Sequence, residues 1–74
     1  MNKIIRIMKE WKKEAGVKEP VLLKYRSGKL EIHTNKPGIM IGLHGRTVNK
    51  YTEILKNNVF GFKELKFVET DFYA

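Results

Sequence analysis

Three glycines interrupt the most apolar part of the chain, the segment KPGIMIGLHGRTVNKY. Its first part, residues 38–42, suffices for about one helical turn. The corner at residues 42–45 holds two of the glycines, and glycine is the residue best suited to a sharp turn of the backbone. Apolar residues then recur at three- and four-residue spacing from Arg46 to Asn57, which predicts a second helix. Such a corner either lets two helices pack closely or lets a ligand approach the bare backbone.

The beginning of the chain has a helical pattern. Apolar residues recur at three- and four-residue spacing from residue 3 to 15, and Gly16 and Pro20 follow as signals that end a helix. The predicted buried stripe consists of Ile4, Ile5, Met8, Trp11 and Ala15. Basic residues occupy much of the remaining surface, so this helix suits either a membrane surface or packing on a sheet. The strands that follow it favour packing on a sheet.

Two strands and a tight turn come next. VLLKYR (21–26) and KLEIHT (29–34) flank Ser27-Gly28, a dipeptide typical of hairpin turns. The second strand alternates, with Leu30, Ile32 and Thr34 on one side and Glu31 and His33 on the other. We therefore expect one face of the sheet to be buried and the other to be exposed to solvent.

The last predicted strand is FKELKFVET (62–70), in which Leu65 and Phe67 face inward. Two helices separate it from strand 29–34, and a crossover of that length permits parallel pairing. We predict that strand 29–34 is central, antiparallel to 21–26 and parallel to 63–69, with three helices on one face. The whole chain, residues 1–74, is then one two-layer α+β domain of order αββααβ.

The charge of the chain favours anionic partners. Fifteen Lys and Arg oppose eight Asp and Glu, which gives a formal net charge of +7 and a sequence pI near 9.8. Nucleic acid is the first candidate and an acidic membrane the second, while a merely Lys-rich soluble surface is the alternative. No segment has the uninterrupted apolar run of a membrane span or a signal peptide, and cysteine is absent. We expect a cytoplasmic protein without membrane association.

Candidate catalytic residues are sparse. His33 and His44 are the only histidines, and neither has a partner at a spacing typical of metal sites. Ser27 lies in a predicted turn, and the nucleotide-binding pattern GxxxxGK[ST] does not occur. We therefore expect no enzyme activity, no metal and no cofactor.

The segment Gly38-Ile39-Met40-Ile41-Gly42-Leu43-His44-Gly45-Arg46-Thr47-Val48 resembles the G-x-[IV]-I-G-x-x-G-x-x-[IV] signature of KH domains. The predicted element order resembles the type II variant, as in the KH protein of the small ribosomal subunit and the terminal domain of Era-type GTPases. In KH domains the GxxG loop clamps the backbone of about four unpaired nucleotides. The resemblance covers essentially the whole chain, although the specific motif covers only residues 37–48.

Carried over to this sequence, the resemblance implies two groups of contacts. Those to the sugar–phosphate backbone come from Gly42, Leu43, His44 and Gly45. Those to the bases come from an apolar groove lined by Gly38, Ile39, Ile41 and Val48, with Asn49 at its edge. Plain helix–helix packing is the alternative for Ile41 and Val48, and Met40 is expected to face the core.

The loop departs from the family pattern at its two middle positions. KH domains that bind nucleic acid usually carry Lys or Arg there, whereas this chain has Leu43 and His44. Arg46, at the start of the helix, and Lys50 are the candidates for the missing positive charge.

The function implied is binding of single-stranded nucleic acid, with RNA ahead of DNA, by a protein that works within a ribosome, another ribonucleoprotein or an oligomer. The alternative is a KH scaffold that serves protein interaction or ribonucleoprotein assembly with a degenerate loop. Phe72 and Tyr73 are expected to fold back near Trp11; stacking on a base or docking a partner is their functional alternative.

Overall fold

The computed structural model describes residues 2–70 of the chain. Its elements are α1 (Asn2–Ala15), β1 (Leu22–Arg26), β2 (Lys29–Thr34), α2 (Pro37–Ile41), a 3₁₀ turn (Leu43–Gly45), α3 (Arg46–Asn58) and β3 (Glu64–Glu69). The predicted order of elements and the α+β class are confirmed. Phe72 and Tyr73 lie outside the described residues. Within them, no helix combines the length and the apolar character needed to cross a lipid bilayer.

The three strands form one mixed sheet in the order β1-β2-β3. The central strand β2 is antiparallel to β1 and parallel to β3, as the sequence predicted. Cross-strand register places Ile32 beside Leu23 and Phe67 on the face that carries the helices. The buried side of β2 is the predicted one, consisting of Leu30, Ile32 and Thr34.

The hairpin turn fixes the position of β3 as well as that of β1 and β2. Ser27 and Gly28 both have positive φ, 53° and 82°, the conformation of the two-residue turn that matches the twist of paired strands. The carbonyl of Gly28 accepts hydrogen bonds from the N–H groups of Lys63, at 2.7 Å, and Glu64, at 3.2 Å. The turn therefore joins the start of β3 directly.

The buried stripe of α1 differs from the prediction at one position. Ile7 is buried, whereas Ile5 is 42% exposed. The residues Ile4, Ile7, Met8 and Trp11 follow the i, i+3, i+4, i+7 spacing of one helical face, and a residue directly after Ile4 is rotated by about 100° away from that face. Ile5 was wrongly placed in the core because neighbouring isoleucines compete for one stripe.

The prediction of three helices on one face is met only in part. Two helices have more than three turns, α1 with 14 residues and α3 with 13. The middle element α2 has five residues and buries only Met40, which faces the core as expected. It ends because Gly42 adopts φ 80° and ψ 171°, which an α-helix cannot continue. The helical layer therefore consists of two long helices, α1 and α3, and the short α2 of little more than one turn.

Trp11 lies at the centre of the core. Its side chain has no exposed surface and stacks on Tyr51 of α3, with ring centroids 5.1 Å apart. Phe67 of β3 meets it edge-on at 5.7 Å. Its indole N–H donates a hydrogen bond of 2.9 Å to the carbonyl of Met40. One side chain thus joins α1, α2, α3 and β3.

Replacing Trp11 by Phe is expected to lower the free energy of unfolding by about 1–3 kcal/mol, because the buried Met40 carbonyl loses its donor. Urea unfolding followed by circular dichroism measures the change. The control is Ile5→Ala on the exposed side of α1, for which we expect a change within about 0.5 kcal/mol. Equal losses in the two variants would contradict the placement of Trp11 at the centre of the core.

Candidate nucleic-acid interface

The corner between α2 and α3 is built from backbone conformations that few residues adopt. Gly42, His44 and Gly45 all have positive φ, at 80°, 57° and 71°. His44 is one of two residues other than glycine with positive φ within residues 2–70, and histidine tolerates this region better than most side chains. Leu43 and His44 are exposed, with 75% of the Leu43 surface accessible. The corner that the sequence predicted is present and open to solvent.

Thr47 explains why Gly42 has no side chain, and sequence reasoning did not find it. A Cβ atom at Gly42 would lie 2.5 Å from Thr47 Oγ1, so a larger residue would collide with the first turn of α3. At Gly45 the nearest atoms to such a Cβ are 3.8 Å away, which is an ordinary contact. Gly42 is therefore required by both packing and φ, whereas Gly45 is required by φ alone.

The backbone donors at the corner are divided between internal bonds and solvent. The N–H of Gly45 donates to the Gly42 carbonyl at 3.1 Å, and the N–H of Arg46 donates to the Leu43 carbonyl. Among residues 2–70, the N–H groups of Leu43 and His44 meet no backbone acceptor. The sequence suggested free donors from Arg46 onward, but the 3₁₀ turn engages the N–H of Arg46. The N–H groups of Leu43 and His44, between the glycines, are further candidate donors at the corner.

The predicted groove residues form an apolar surface beside the corner. Gly38 and Ile39 are exposed, with 46% of Ile39 accessible, and Asn49 is exposed on the first turns of α3. Ile41 and Val48 are half-buried, and Val48 packs against the core. Two surface depressions are described, and residues 38–50 line neither of them. The structure thus leaves Gly38, Ile39 and Asn49 accessible on either side of the corner, whereas Val48 takes part in helix packing.

Two of the cations near the corner are held by carboxylates. Lys50 Nζ lies 2.6 Å from Glu14 Oε1, and Lys36 Nζ lies 3.5 Å from Glu19 Oε1. The hydrogen bond from Lys50 holds the pKa of Glu14 below its ordinary value and raises the pKa of Lys50. Within the described part of the chain, Arg46 has no carboxylate within ion-pair distance. Arg46 is therefore the cation available at the corner, and the predicted role of Lys50 is limited by Glu14.

Substituting the glycines separates their structural roles. Gly42→Ala is expected to lower the free energy of unfolding by about 2 kcal/mol or more, because its Cβ meets Thr47 at a positive φ. Gly38→Ala is the matched control: its Cβ meets open space within α2, so stability should be unchanged or higher by about 0.5–1 kcal/mol. Urea unfolding measures both values, and a Gly42→Ala protein as stable as the Gly38→Ala protein would contradict the packing of Thr47.

Within residues 2–70, no group of three or more histidine and carboxylate side chains is placed to hold a metal ion.

No protein-family model matches the chain, and neither a curated protein nor a solved structure matches it. The functional assignment therefore depends on the exposed corner, its two free N–H groups and the surrounding charges.

Proposed function

We propose that this chain is a type II KH-like domain that binds single-stranded nucleic acid, RNA in preference to DNA, at the corner between α2 and α3. The observation that carries the proposal is that Leu43 and His44 are exposed residues whose N–H groups have no backbone acceptor within residues 2–70. A phosphate oxygen accepts hydrogen bonds from such donors, and the absence of side chains at both glycines lets a strand approach closely.

Electrostatics support a phosphate at this position. The corner precedes α3, a helix of 13 residues whose N-terminal end carries a partial positive charge. Gly45 caps this helix without a side-chain hydrogen bond, and the first turn of α3 carries no acidic residue. Arg46 adds a full positive charge that none of the described carboxylates neutralises. The side chains of Leu43 and His44 therefore do not need to supply the charge themselves.

Bases of the bound strand would rest on the apolar surface beside the corner. Ile39 and Leu43 are exposed, and Ile41 and Val48 present their accessible parts next to them. Only unpaired bases can turn toward such a surface while their backbone contacts the corner, because a duplex stacks and pairs its bases inward. This requirement favours single strands over duplexes.

The corner alone should bind weakly. About two to four phosphate contacts correspond to a slope of roughly −1.5 to −3 in a plot of log affinity against log salt concentration. One module of this size rarely gives tight recognition, so we propose that the protein acts in a ribosome, another ribonucleoprotein or an oligomer, in the cytoplasm.

A second candidate function rests on the same exposed apolar residues. Leu43 and Ile39 are large side chains in a position where a charged loop would be expected for nucleic acid, and exposed apolar residues also mark protein-binding surfaces. On this alternative the domain is an assembly module whose corner contacts a protein.

Replacing Leu43 and His44 together by Asp is expected to weaken RNA binding at least tenfold, because two carboxylates would face the phosphate beside the free N–H groups. Aspartate tolerates the left-handed conformation of residue 44, so the corner should persist. Fluorescence anisotropy with labelled single-stranded RNA and DNA oligomers, at two salt concentrations, measures the affinity. Circular dichroism verifies the fold.

The matched control introduces two aspartates at Asn2 and Ile5, on the exposed side of α1. These residues lie near the far end of α3, since the side chain of Lys3 bonds to the carbonyl of Asn58. This control variant lowers the net charge by the same amount as the corner variant, and it should keep most of the affinity for RNA. Equal affinity of the corner variant and the unmodified protein, or no saturable binding by the unmodified protein, would contradict RNA binding at the corner and favour the assembly module.

Releasing Lys50 should strengthen binding. Glu14→Gln removes the carboxylate that holds Lys50, and the freed ammonium group can then contact a phosphate of the bound strand. We expect a severalfold gain in affinity and a salt slope steeper by about 0.7. Glu53→Gln is the matched control, because Glu53 pairs with Lys56 farther along α3 and carries the same charge. If both substitutions raised the affinity for RNA equally, the gain would come from the change in net charge, and Lys50 would make no specific contribution.

A further inference from the structure

The sheet has a second face that no described helix covers. Since alternate residues of a strand point to opposite sides, the face away from the helices is formed by Leu22, Lys24 and Arg26 of β1, Lys29, Glu31 and His33 of β2, and Glu64, Lys66 and Val68 of β3. These side chains form three rows across the strands: one apolar row with His33 at its centre, and two charged rows. We call this surface the open sheet face.

The two carboxylates of the open sheet face already have partners. Glu64 pairs with Lys29 at 3.6 Å, and Glu31 Oε1 lies 3.1 Å from His33 Nε2. The bond with His33, followed by the charges of Lys66 and Lys24, holds the pKa of Glu31 below its ordinary value. Both carboxylates are therefore engaged by neighbouring side chains, and the cations of this face outnumber them.

The excess cations lie around a depression at the hairpin end of the open sheet face. It has a volume of about 900 Å³, and Lys24, Arg26 and Lys63 contribute to its lining. All three side chains are exposed, and within residues 2–70 none has a carboxylate within ion-pair distance. Lys66 extends the positive surface on β3. Lys29, Glu31 and Glu64 also line the depression, so four cations face two carboxylates there. The net positive charge of this concave surface attracts a polyanion.

We propose that the open sheet face is a second RNA-contacting surface, which binds the phosphodiester backbone at Lys24, Arg26 and Lys63 without reading the bases. The identification of the polyanion as RNA rests on the function proposed for the corner. None of the outward-facing strand residues is aromatic, and Tyr25, which also lines the depression, packs against the core, so the contacts fall mainly on phosphates. A second copy of the chain would bring the same excess positive charge against this face.

Two surfaces on different layers of the domain change what one molecule can do with RNA. The corner belongs to the helical layer, whereas the depression is lined mostly by outward-facing residues of the sheet. A strand held at one surface raises the local concentration of a second segment near the other. The domain can thus hold two segments of RNA, and its total salt slope should reach about −3.5 to −5 because three phosphates are added to those of the corner.

The first experiment observes both surfaces separately. The isotope-labelled protein is titrated with a single-stranded RNA of about 12 nucleotides and followed by backbone amide NMR. We expect shifts in two groups, residues 42–46 at the corner and residues 24–29 with Lys63 at the depression. The first group tests the proposed function and the second tests the further inference. RNA that shifts the corner and leaves the depression unchanged would overturn the second surface alone.

The second experiment uses variants with equal net charge. Lys24→Gln, Arg26→Gln and Lys63→Gln together remove three charges from the depression, which takes the formal net charge from +7 to +4. The salt slope measured by fluorescence anisotropy should then become shallower by about 2, with at least a tenfold loss of affinity at low salt, and the loss should be the same for RNAs of different base composition.

The matched control removes three charges elsewhere. Arg6→Gln, Lys9→Gln and Lys13→Gln lie on the exposed side of α1 and give the same net charge. We expect the salt slope of this variant to change by less than about 0.5. Equal losses in the two triple variants would overturn the proposal, because net charge alone would then explain the binding. A loss confined to the depression variant, even where the Leu43 and His44 aspartates have no effect, would support the sheet surface and refute the corner.

Discussion

The hydrogen bond from the indole of Trp11 to the carbonyl of Met40 is the contact on which the position of the corner depends. The element α2 has only five residues and buries a single side chain, so its own helical bonds cannot hold it in place. Trp11 fixes its last turn and, through Tyr51 and Phe67, also fixes α3 and β3. The corner therefore lies between two elements that share one buried anchor. The backbone of the corner is thus positioned by the hydrogen bond between Trp11 and Met40 in the core, which lies outside the corner.

A corner held in this way can be exposed without being loose. Gly42 meets Thr47 closely, and the 3₁₀ turn uses the N–H groups of Gly45 and Arg46. These internal contacts do not use the N–H groups of Leu43 and His44, which belong to exposed residues of the same turn. A ligand that uses them meets donors that are preorganised, so little ordering cost opposes its binding.

The sequence allowed the sheet and the corner to be predicted because their signals are local. Three signals determine the mixed three-stranded sheet, and each lies within one segment of the chain. They are the alternation of apolar and polar residues in 29–34, the Ser27-Gly28 turn and the length of the crossover. The features that were missed depend on residues far apart. Lys50 is held by Glu14, 36 positions earlier, and no spacing rule connects them. Thr47 is close to Gly42 in sequence, but only the fold shows that it occupies the space of a missing Cβ. Ile5 and Ile7 differ in the phase of one helix, which two adjacent isoleucines left ambiguous.

The ion pairs between distant residues determine which cations remain unpaired, and they give the corner and the open sheet face different chemical character. Around the corner, Glu14 and Glu19 hold Lys50 and Lys36, so attraction there depends on backbone N–H groups, the helix end and Arg46. On the open sheet face, the carboxylates pair with Lys29 and His33. Lys24 and Arg26, with the adjoining Lys63, have no ion-pair partner among residues 2–70. Backbone N–H groups are fixed in direction and therefore bind a phosphate in one defined position, whereas flexible Lys and Arg side chains can bind the phosphates of a nucleic-acid backbone in many positions. The corner is therefore the surface that can orient a strand, and the open sheet face is the surface that can attract one from a distance.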